Sequence, residues 1–273
     1  MDGAELKQEW LSGQPSFGAW ISLTDPAVTA VMCNAGYKWL MIDAEHLPYN
    51  AETLRSLIAT MRSRDVVPLV RVRANDEAII KQVLDMGAEG IAVPMIRTAD
   101  DARRAVMACH YPPFGIRGCG PRDASNFYQN IDHYRSTIEN RVVVILWIEH
   151  IDAVNNLDEI LRVPGVDALV LGPTDLSYSM GLPWQITHPK VEQAIDTIIT
   201  KARVVHIPVG HSATTENFES WRARGINPIF LGSDYEFMLR DANRFLNQAR
   251  RAVGLGQITV TTSVVEATVS ERS

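Results

Sequence analysis

The stretch Arg141–His150, RVVVILWIEH, constrains the fold more than any other part of this chain. It is a nearly continuous apolar run that stops at Glu149. Strands buried on both faces, as in a parallel sheet covered by helices, have this pattern. A carboxylate fits such a strand only where the chain leaves the core. Because α/β folds bind ligands at the carboxyl ends of their strands, Glu149 is predicted to have a chemical role.

Seven further segments have the length and composition of buried strands, and a helical segment follows each of the eight. A glycine precedes four of the strands, at the position where the C-cap of the preceding helix is expected: Gly36, Gly87, Gly165 and Gly225. Eight βα units in 273 residues predict a single (β/α)8 TIM barrel, with an open doubly wound sheet as the alternative. The other predicted strands are Phe17–Leu23, Trp39–Asp43, 67–72, Gly90–Pro94, Ala168–Pro173, 207–211 and Pro228–Gly232. The predicted helices are a segment capped by Asp25 and Pro26, then Ala51–Arg62, Glu77–Met86, Ala99–Ala108, Ala153–Leu161, Val191–His206, Thr215–Arg224 and Tyr235–Ala252.

The barrel is predicted to form one domain over residues 1–253, interrupted by a long aperiodic excursion at Tyr111–Asn140. The tail, residues 254–273, is expected either to be disordered or to pack on a neighbouring subunit. A net charge of −6 without a basic face argues against nucleic acid as a partner. No apolar run approaches the roughly 20 residues that span a bilayer. Three cysteines without metal-ligand spacing fit a reducing compartment, so a cytoplasmic protein is expected.

Polar residues stand at the ends of the predicted strands, which should bring them to one face of the barrel. Arg71 ends its strand, and a buried guanidinium there favours an anion such as a carboxylate or an enolate. The alternative is an internal ion pair with Asp43 or Glu149, and the two interpretations are compatible. Asp43 could also cap the following segment. His46 follows three residues after Asp43, a carboxylate that could fix its tautomer and raise its basicity.

Glu149 and Asp175 follow neighbouring strands, where two carboxylates would repel each other. A divalent cation would neutralise both, and oxygen ligands suit Mg²⁺, Mn²⁺ or Co²⁺ better than structural zinc. A metal-free general acid/base pair is the alternative. The turn around Gly172 and Thr174 could present backbone N–H groups to an anion. Trp20 is expected to form an apolar wall.

Six segments, in order, resemble the HpcH/HpaI aldolase family of metal-dependent pyruvate aldolases. They are GYKWLMIDAEHLP, VPLVRV, IKQVLDMGAEGIAVPMI, YPPFGIRG, IEH and VPGVDALVLGPTDLSYSMG. The resemblance implies a TIM barrel in which His46 is the acid/base and Arg71 stabilises an enolate. It further implies that Glu149 and Asp175 hold the metal ion and that the Thr174 backbone N–H binds the substrate carboxylate.

Asp85 corresponds to the family's acidic residue that makes the histidine more basic. Since Asp85 ends a helix, it should lie at the opposite face from His46 and would have to come from a neighbouring subunit. A homo-oligomer is therefore expected, a hexamer built as a trimer of dimers by family resemblance. Trp147 departs from the family, which commonly has glutamine there in contact with substrate. An indole cannot accept a hydrogen bond, so a smaller and more apolar pocket is expected.

These features predict a lyase that cleaves or forms 4-hydroxy-2-oxo acids, releasing pyruvate and an aldehyde through an enolate. One alternative keeps the enolate but changes its fate: oxaloacetate decarboxylation with trapping by another electrophile, as in the related macrophomate synthase. Another is a non-catalytic 2-oxo-acid binding protein, against which the complete set of His46, Arg71, Glu149 and Asp175 argues.

Overall fold

Eight parallel strands form a closed barrel in which each strand pairs with the next along the chain and β8 pairs with β1. The computed structural model describes residues 1–260. The TIM barrel predicted from the sequence is thereby confirmed, and the open sheet is wrong. The strands are Phe17–Ile21 (β1), Trp39–Asp43 (β2), Val67–Arg71 (β3), Gly90–Val93 (β4), Val143–Ile148 (β5), Ala168–Leu171 (β6), Val209–Ala213 (β7) and Ile229–Ser233 (β8).

Helices surround the barrel, and most of them lie where the sequence predicts them. The helix predicted over Ala153–Leu161 is divided into two short ones, and the excursion, predicted to be aperiodic, ends in a helix. None of the described helices is long and apolar enough to cross a membrane. The helices of residues 1–260 are Gly3–Leu11 (α1), Pro26–Asn34 (α2), Ala51–Arg62 (α3), Glu77–Asp85 (α4), Ala99–Cys109 (α5), Ile131–Arg141 (α6), Ile151–Asn155 (α7), Leu157–Ile160 (α8), Pro173–Ser179 (α9), Pro189–Val204 (α10), Phe218–Ala223 (α11) and Asp234–Ala252 (α12).

The barrel interior is built from alternate residues of the strands, as the period of two requires. Along β2, Trp39 and Met41 point inward, whereas Leu40 and Ile42 pack against the outer helices. In β5, Val143, Ile145 and Trp147 point inward. The inward side chains therefore form a core separate from the larger one between the strands and the helices.

The lower end of the barrel is filled by α1, a helix that the strand and helix patterns of the sequence did not predict. Asp2 and Glu5 form a capping box, and the buried side chains of Leu6 and Trp10 enter the barrel core. The Ser16 hydroxyl accepts hydrogen bonds from two buried indoles, Trp10 Nε1 at 3.1 Å and Trp39 Nε1 at 2.9 Å. Consequently α1 is an integral part of the barrel.

Five rings form an aromatic column that runs from α1 towards the opposite end of the barrel. Adjacent centroids are 5.8 Å apart for Trp10 and Trp39, 4.9 Å for Trp39 and Phe230, 5.0 Å for Phe230 and Trp20, and 5.7 Å for Trp20 and Trp147. Such offset and edge-to-face pairs stabilise the folded state by more than the burial of their apolar area alone. The column leaves Trp20 and Trp147 beneath the strand ends.

The four glycines predicted at helix C-caps all have left-handed backbone, with φ between 89° and 99°. The described part of the predicted tail folds back on α12. Asn247 accepts a hydrogen bond from the Ile258 backbone N–H at 2.9 Å and donates one to the Ile258 carbonyl at 2.8 Å. Residues 261–273 of that tail lie outside the described residues.

Candidate active site

The candidate site begins one inward position beyond the last core layer of each strand. Asp43 follows Met41 by two residues, and Arg71 follows Leu69 in the same way. Glu149 follows Trp147 by two residues and is 2% exposed. The alternation of the strands thus directs the three polar side chains into the barrel mouth, where the core ends.

Arg71 is held along one edge by Asp43 in a bidentate ion pair. Its Nε lies 2.9 Å from Asp43 Oδ1, and its Nη2 lies 2.7 Å from Oδ2. Both residues are buried, so this bidentate, charge-assisted pair holds the guanidinium in one orientation more strongly than a solvent-exposed ion pair would. The remaining nitrogen, Nη1, lies 3.3 Å from Glu45 Oε2. The internal ion pairs of Arg71 therefore involve Asp43 and Glu45, and Nη1 is the nitrogen that Asp43 does not bind.

The imidazole of His46 does not contact Asp43, in contrast to the sequence-based expectation. Asp43 Oδ1 instead accepts the backbone N–H groups of Glu45 and His46 at 3.2 and 3.4 Å. The contacts of Asp43 thus come from Arg71 and from two backbone N–H groups, and none comes from the His46 ring. The carboxylate near that ring is Glu45, whose Oε2 lies 3.6 Å from His46 Nε2. The His46 side chain is 59% exposed.

Glu149 is a carboxylate in an environment that disfavours its charge. Burial raises its pKa to about 7, and the charges of Glu45 and Asp175 act in the same direction. The Met95 backbone N–H donates to Glu149 Oε1 at 2.7 Å and opposes the shift. Met95 has left-handed backbone, φ 56°, so this donor is placed by a conformation that non-glycine residues seldom adopt.

Gly172, the next inward position of β6, lies against Glu149. A Cβ there would be 2.8 Å from Glu149 Oε2 and 3.1 Å from Trp147 Cδ1, so only glycine fits. The chain then enters α9, whose first turn contains Thr174 and Asp175. Gly172 is the N-cap and offers no side-chain acceptor, and Pro173 at the first helical position has no N–H, so the N–H groups of Thr174 and Asp175 have no side-chain cap.

The donor set of the mouth fits a divalent cation. Asp43 and Glu45 pair with Arg71, and the charges of Glu45 and Asp175 act on Glu149. Burial raises the pKa of Glu45 to about 7, and its Oε2 is buried without a hydrogen-bond partner. Within residues 1–260 no three acidic, histidine or cysteine side chains converge closely enough to hold a metal by themselves. A cation here would need substrate or water oxygens to complete its coordination, as open catalytic sites do.

Asp85, the acidic residue that the family resemblance singles out, and His211, the last residue of the predicted strand 207–211, lie away from this mouth. Asp85 ends α4 at the opposite end of the barrel and binds the buried Arg117 guanidinium at 2.7 Å. His211 points out of the barrel and packs on Trp221 of α11, with ring centroids 4.2 Å apart. Its neighbour Ser212 accepts a hydrogen bond from Trp20 Nε1 at 3.1 Å. The inward position at the end of β7 is therefore Ser212.

The sequence that forms this mouth, with Glu149, Arg71 and the α9 turn, is similar to sequences of a known protein family. A sequence profile of the HpcH/HpaI aldolase/citrate lyase family matches residues 16–241. The chain belongs to that family. Membership confirms the family, the aldolase activity and the carbon–carbon lyase class predicted from the sequence motifs.

Two relatives carry more specific names. A hydroxypyruvate/pyruvate aldolase from Roseobacter denitrificans is 40% identical over 70% of this chain and 75% of its own length. A 2-keto-3-deoxy-L-rhamnonate aldolase from Escherichia coli is 34% identical over 84% of this chain and 86% of its own. A crystal structure of a family member from Burkholderia cenocepacia superimposes with a TM-score of 0.86 at 32% identity, covering 90% of this chain and 99% of that one.

Macrophomate synthase, the comparison raised by the sequence, shares the fold with a TM-score of 0.84 at 24% identity, covering 93% of this chain and 90% of that one. The likeness bears on architecture alone. The roles of individual HpcH/HpaI site residues, including His46, Arg71, Asp85 and Asp175, stay predictions.

Proposed function

We propose that this aldolase acts on 4-hydroxy-2-oxo acids, cleaving them to pyruvate and an aldehyde, or running the reverse addition. The observation that carries the proposal is that Glu149 and Arg71 both point into the barrel mouth and interact electrostatically there. Glu149 has one oxygen fixed by Met95, while Arg71 has one nitrogen, Nη1, beyond its pair with Asp43. The names of the two relatives, both acting on 2-oxo acids, support the same substrate class.

Glu149 and Asp175 would hold a divalent cation, with Mg²⁺, Mn²⁺ and Co²⁺ as candidates. When bound, the cation would supply Lewis-acid polarisation of the 2-oxo group. Thr174 would orient the substrate by donating its backbone N–H to the carboxylate. A Schiff-base route is not favoured, because no lysine follows any strand at this end of the barrel.

The protein's own groups would move the proton and hold the developing charge. His46, directly or through a water, would take the 4-hydroxyl proton as the C3–C4 bond breaks and the aldehyde leaves. The electron pair of that bond would pass to the enolate oxygen, which Arg71 Nη1 would stabilise. A proton returned to C3 would give pyruvate. Asp43 would hold the guanidinium in place during these steps.

Pyruvate release from 4-hydroxy-2-oxo acids, followed with a coupled lactate dehydrogenase, tests the proposal. Activity should vanish in EDTA and return with Mg²⁺, Mn²⁺ or Co²⁺, and His46→Ala should lose it under all conditions. Aldol cleavage that persists after metal removal would refute the assignment of Glu149 and Asp175. Oxaloacetate loss measured beside it separates the rival function: decarboxylation that exceeds cleavage would favour the decarboxylase. Binding of pyruvate without either reaction would indicate a binding protein.

We further propose that Asp85 serves His46 of a neighbouring subunit in a homo-oligomer. The proposal is supported by apolar side chains that α12 exposes, among them Met238, Phe245 and Leu246. Mixing inactive His46→Ala and Asp85→Asn proteins should restore part of the activity if subunits share sites. Two variants that stay inactive when mixed and shown to co-assemble would contradict it.

A further inference from the structure

Arg71 has contacts on its face as well as on its edge, and the edge contacts alone do not fix it. The pair with Asp43 holds Nε and Nη2 in the plane of the carboxylate but leaves the guanidinium free to rock about that edge. Two indoles lie close to its face. The guanidinium carbon is 4.7 Å from the Trp20 ring centroid and 5.0 Å from that of Trp147. Both distances lie within cation–π range.

The two indoles meet at a corner instead of enclosing Arg71. Their centroids are 5.7 Å apart and their planes are tilted by 58°. Rings on opposite faces of Arg71 would be separated by almost twice that distance. The two ring centroids therefore lie at an acute angle from the guanidinium carbon, so the rings contact it from neighbouring directions and do not enclose it. The corner forms a floor beneath Arg71.

The floor is itself rigid. Trp20 is fixed by the hydrogen bond from its Nε1 to Ser212 Oγ at 3.1 Å and by stacking on Phe230. Trp147 is 4% exposed, and its ring centroid lies 6.1 Å from that of Phe230. The Cδ1 edge of its ring is turned towards Gly172. Trp147 thus contacts the Arg71 guanidinium and also borders Gly172, against which the Glu149 carboxylate packs.

We infer that Trp147 is a positioning residue, which acts through its π face to hold the Arg71 guanidinium facing the enolate oxygen. The inference rests on the proposed function, since it assumes that Arg71 stabilises an enolate. A ring face attracts a cation, whereas an aliphatic side chain of similar bulk only fills space. The fixed floor also keeps water from the underside of Arg71, which strengthens its interaction with a developing oxyanion.

Proton exchange at C3 of pyruvate isolates this step, because it needs enolate formation but no aldehyde. Wild-type protein with saturating Mg²⁺ would be incubated with pyruvate in D₂O, and loss of the methyl signal followed by ¹H NMR. Trp147→Leu should lower kcat for exchange about tenfold, equivalent to about 1.4 kcal/mol, with little change in KM. Trp147→Phe, which keeps a ring face, should retain exchange to within about threefold of the wild type.

Two controls separate positioning from packing. Phe230→Leu removes a ring that contacts Trp147 and Trp20 but is not stacked on Arg71, so it should lower Tm more than it lowers exchange. In an Arg71→Lys background, Trp147→Leu should have little further effect, because a residue that acts through Arg71 is not additive with it. Tm by circular dichroism shows that each variant folds.

The inference fails if Trp147→Leu exchanges as fast as the wild type, if Trp147→Phe is as slow as Trp147→Leu, or if the Arg71→Lys cycle is additive. A wild-type protein that does not exchange pyruvate protons would instead overturn the proposed function. The two failures are therefore distinguishable in one set of measurements.

Discussion

Replacing Glu149 with glutamine should change how stability depends on pH when no divalent cation is present. Glu149 is 2% exposed, and burial raises its pKa from 4.5 to about 7. Between these values the folded state binds more protons than the unfolded state. The free energy of unfolding should therefore fall as pH rises from 4.5 to 7 and level off above 7.

The size of the effect follows from the pKa difference. One pKa unit corresponds to about 1.4 kcal/mol, so Glu149 lowers the free energy of unfolding at pH 8 by at most roughly 3 kcal/mol. Glutamine has nearly the same shape, keeps an oxygen for the Met95 N–H and carries no charge. Glu149→Gln should match the wild type at pH 4.5 and exceed it at pH 8 in EDTA.

Urea unfolding followed by far-ultraviolet circular dichroism, from pH 4.5 to 8 in EDTA, measures this difference. Glu45 and other titrating groups affect both proteins, so the wild-type minus variant difference is the relevant quantity. Adding Mg²⁺ at pH 8 should stabilise the wild type and leave Glu149→Gln unchanged. A variant less stable than the wild type at pH 8 in EDTA would show that the Glu149 charge is stabilising, and would refute the burial argument.

Three further substitutions test the barrel mouth and the lower end of the barrel. Gly172→Ala places a Cβ 2.8 Å from Glu149 Oε2, so Mn²⁺ affinity measured by calorimetry should fall; unchanged affinity would contradict the close packing. Ser16→Ala leaves two buried indole N–H groups without an acceptor and should cost roughly 2 kcal/mol in urea unfolding. Its KM for the 2-oxo acid should stay at the wild-type value, and a changed KM would mean that the lower barrel reaches the site. Asp43→Asn breaks the charge balance of a buried pair and should cost roughly 3 kcal/mol of stability. Its kcat should also fall, because Arg71 loses its edge contact; full kcat would show that the pair is only structural.

The strand ends were predictable because buried parallel strands have a simple signature. Asp43, Arg71 and Glu149 each follow an apolar run. Because side chains alternate along a strand, each of the three points to the same side as the residue two positions earlier, which is an inner-core residue in every case: Met41, Leu69 and Trp147. The same alternation identifies Gly172 as the inward position after Val170. It also identifies Ser212, two residues after Gly210, as the inward residue of β7 in place of His211.

Other features depend on tertiary contacts that a single sequence does not reveal. The Asp43 oxygens are taken by Arg71 and by two backbone N–H groups, so sequence proximity to His46 was misleading. The donor at Met95 depends on a left-handed loop residue. Helix α6 buries only Tyr134 and has little periodicity, which explains why it was missed. Helix α1, by contrast, had a usable signal in the capping box of Asp2 and Glu5.

The aromatic column gives the protein an intrinsic optical probe. Of the six tryptophans, Trp10, Trp20, Trp39 and Trp147 lie in this one stack, and two of these contact Arg71. A ligand that approaches Arg71 changes the electric field at those two indoles, and excitation transfer among neighbouring rings would spread that change over the emission of the whole stack. Fluorescence titration with pyruvate or Mg²⁺ should therefore report occupancy of the mouth without any added label.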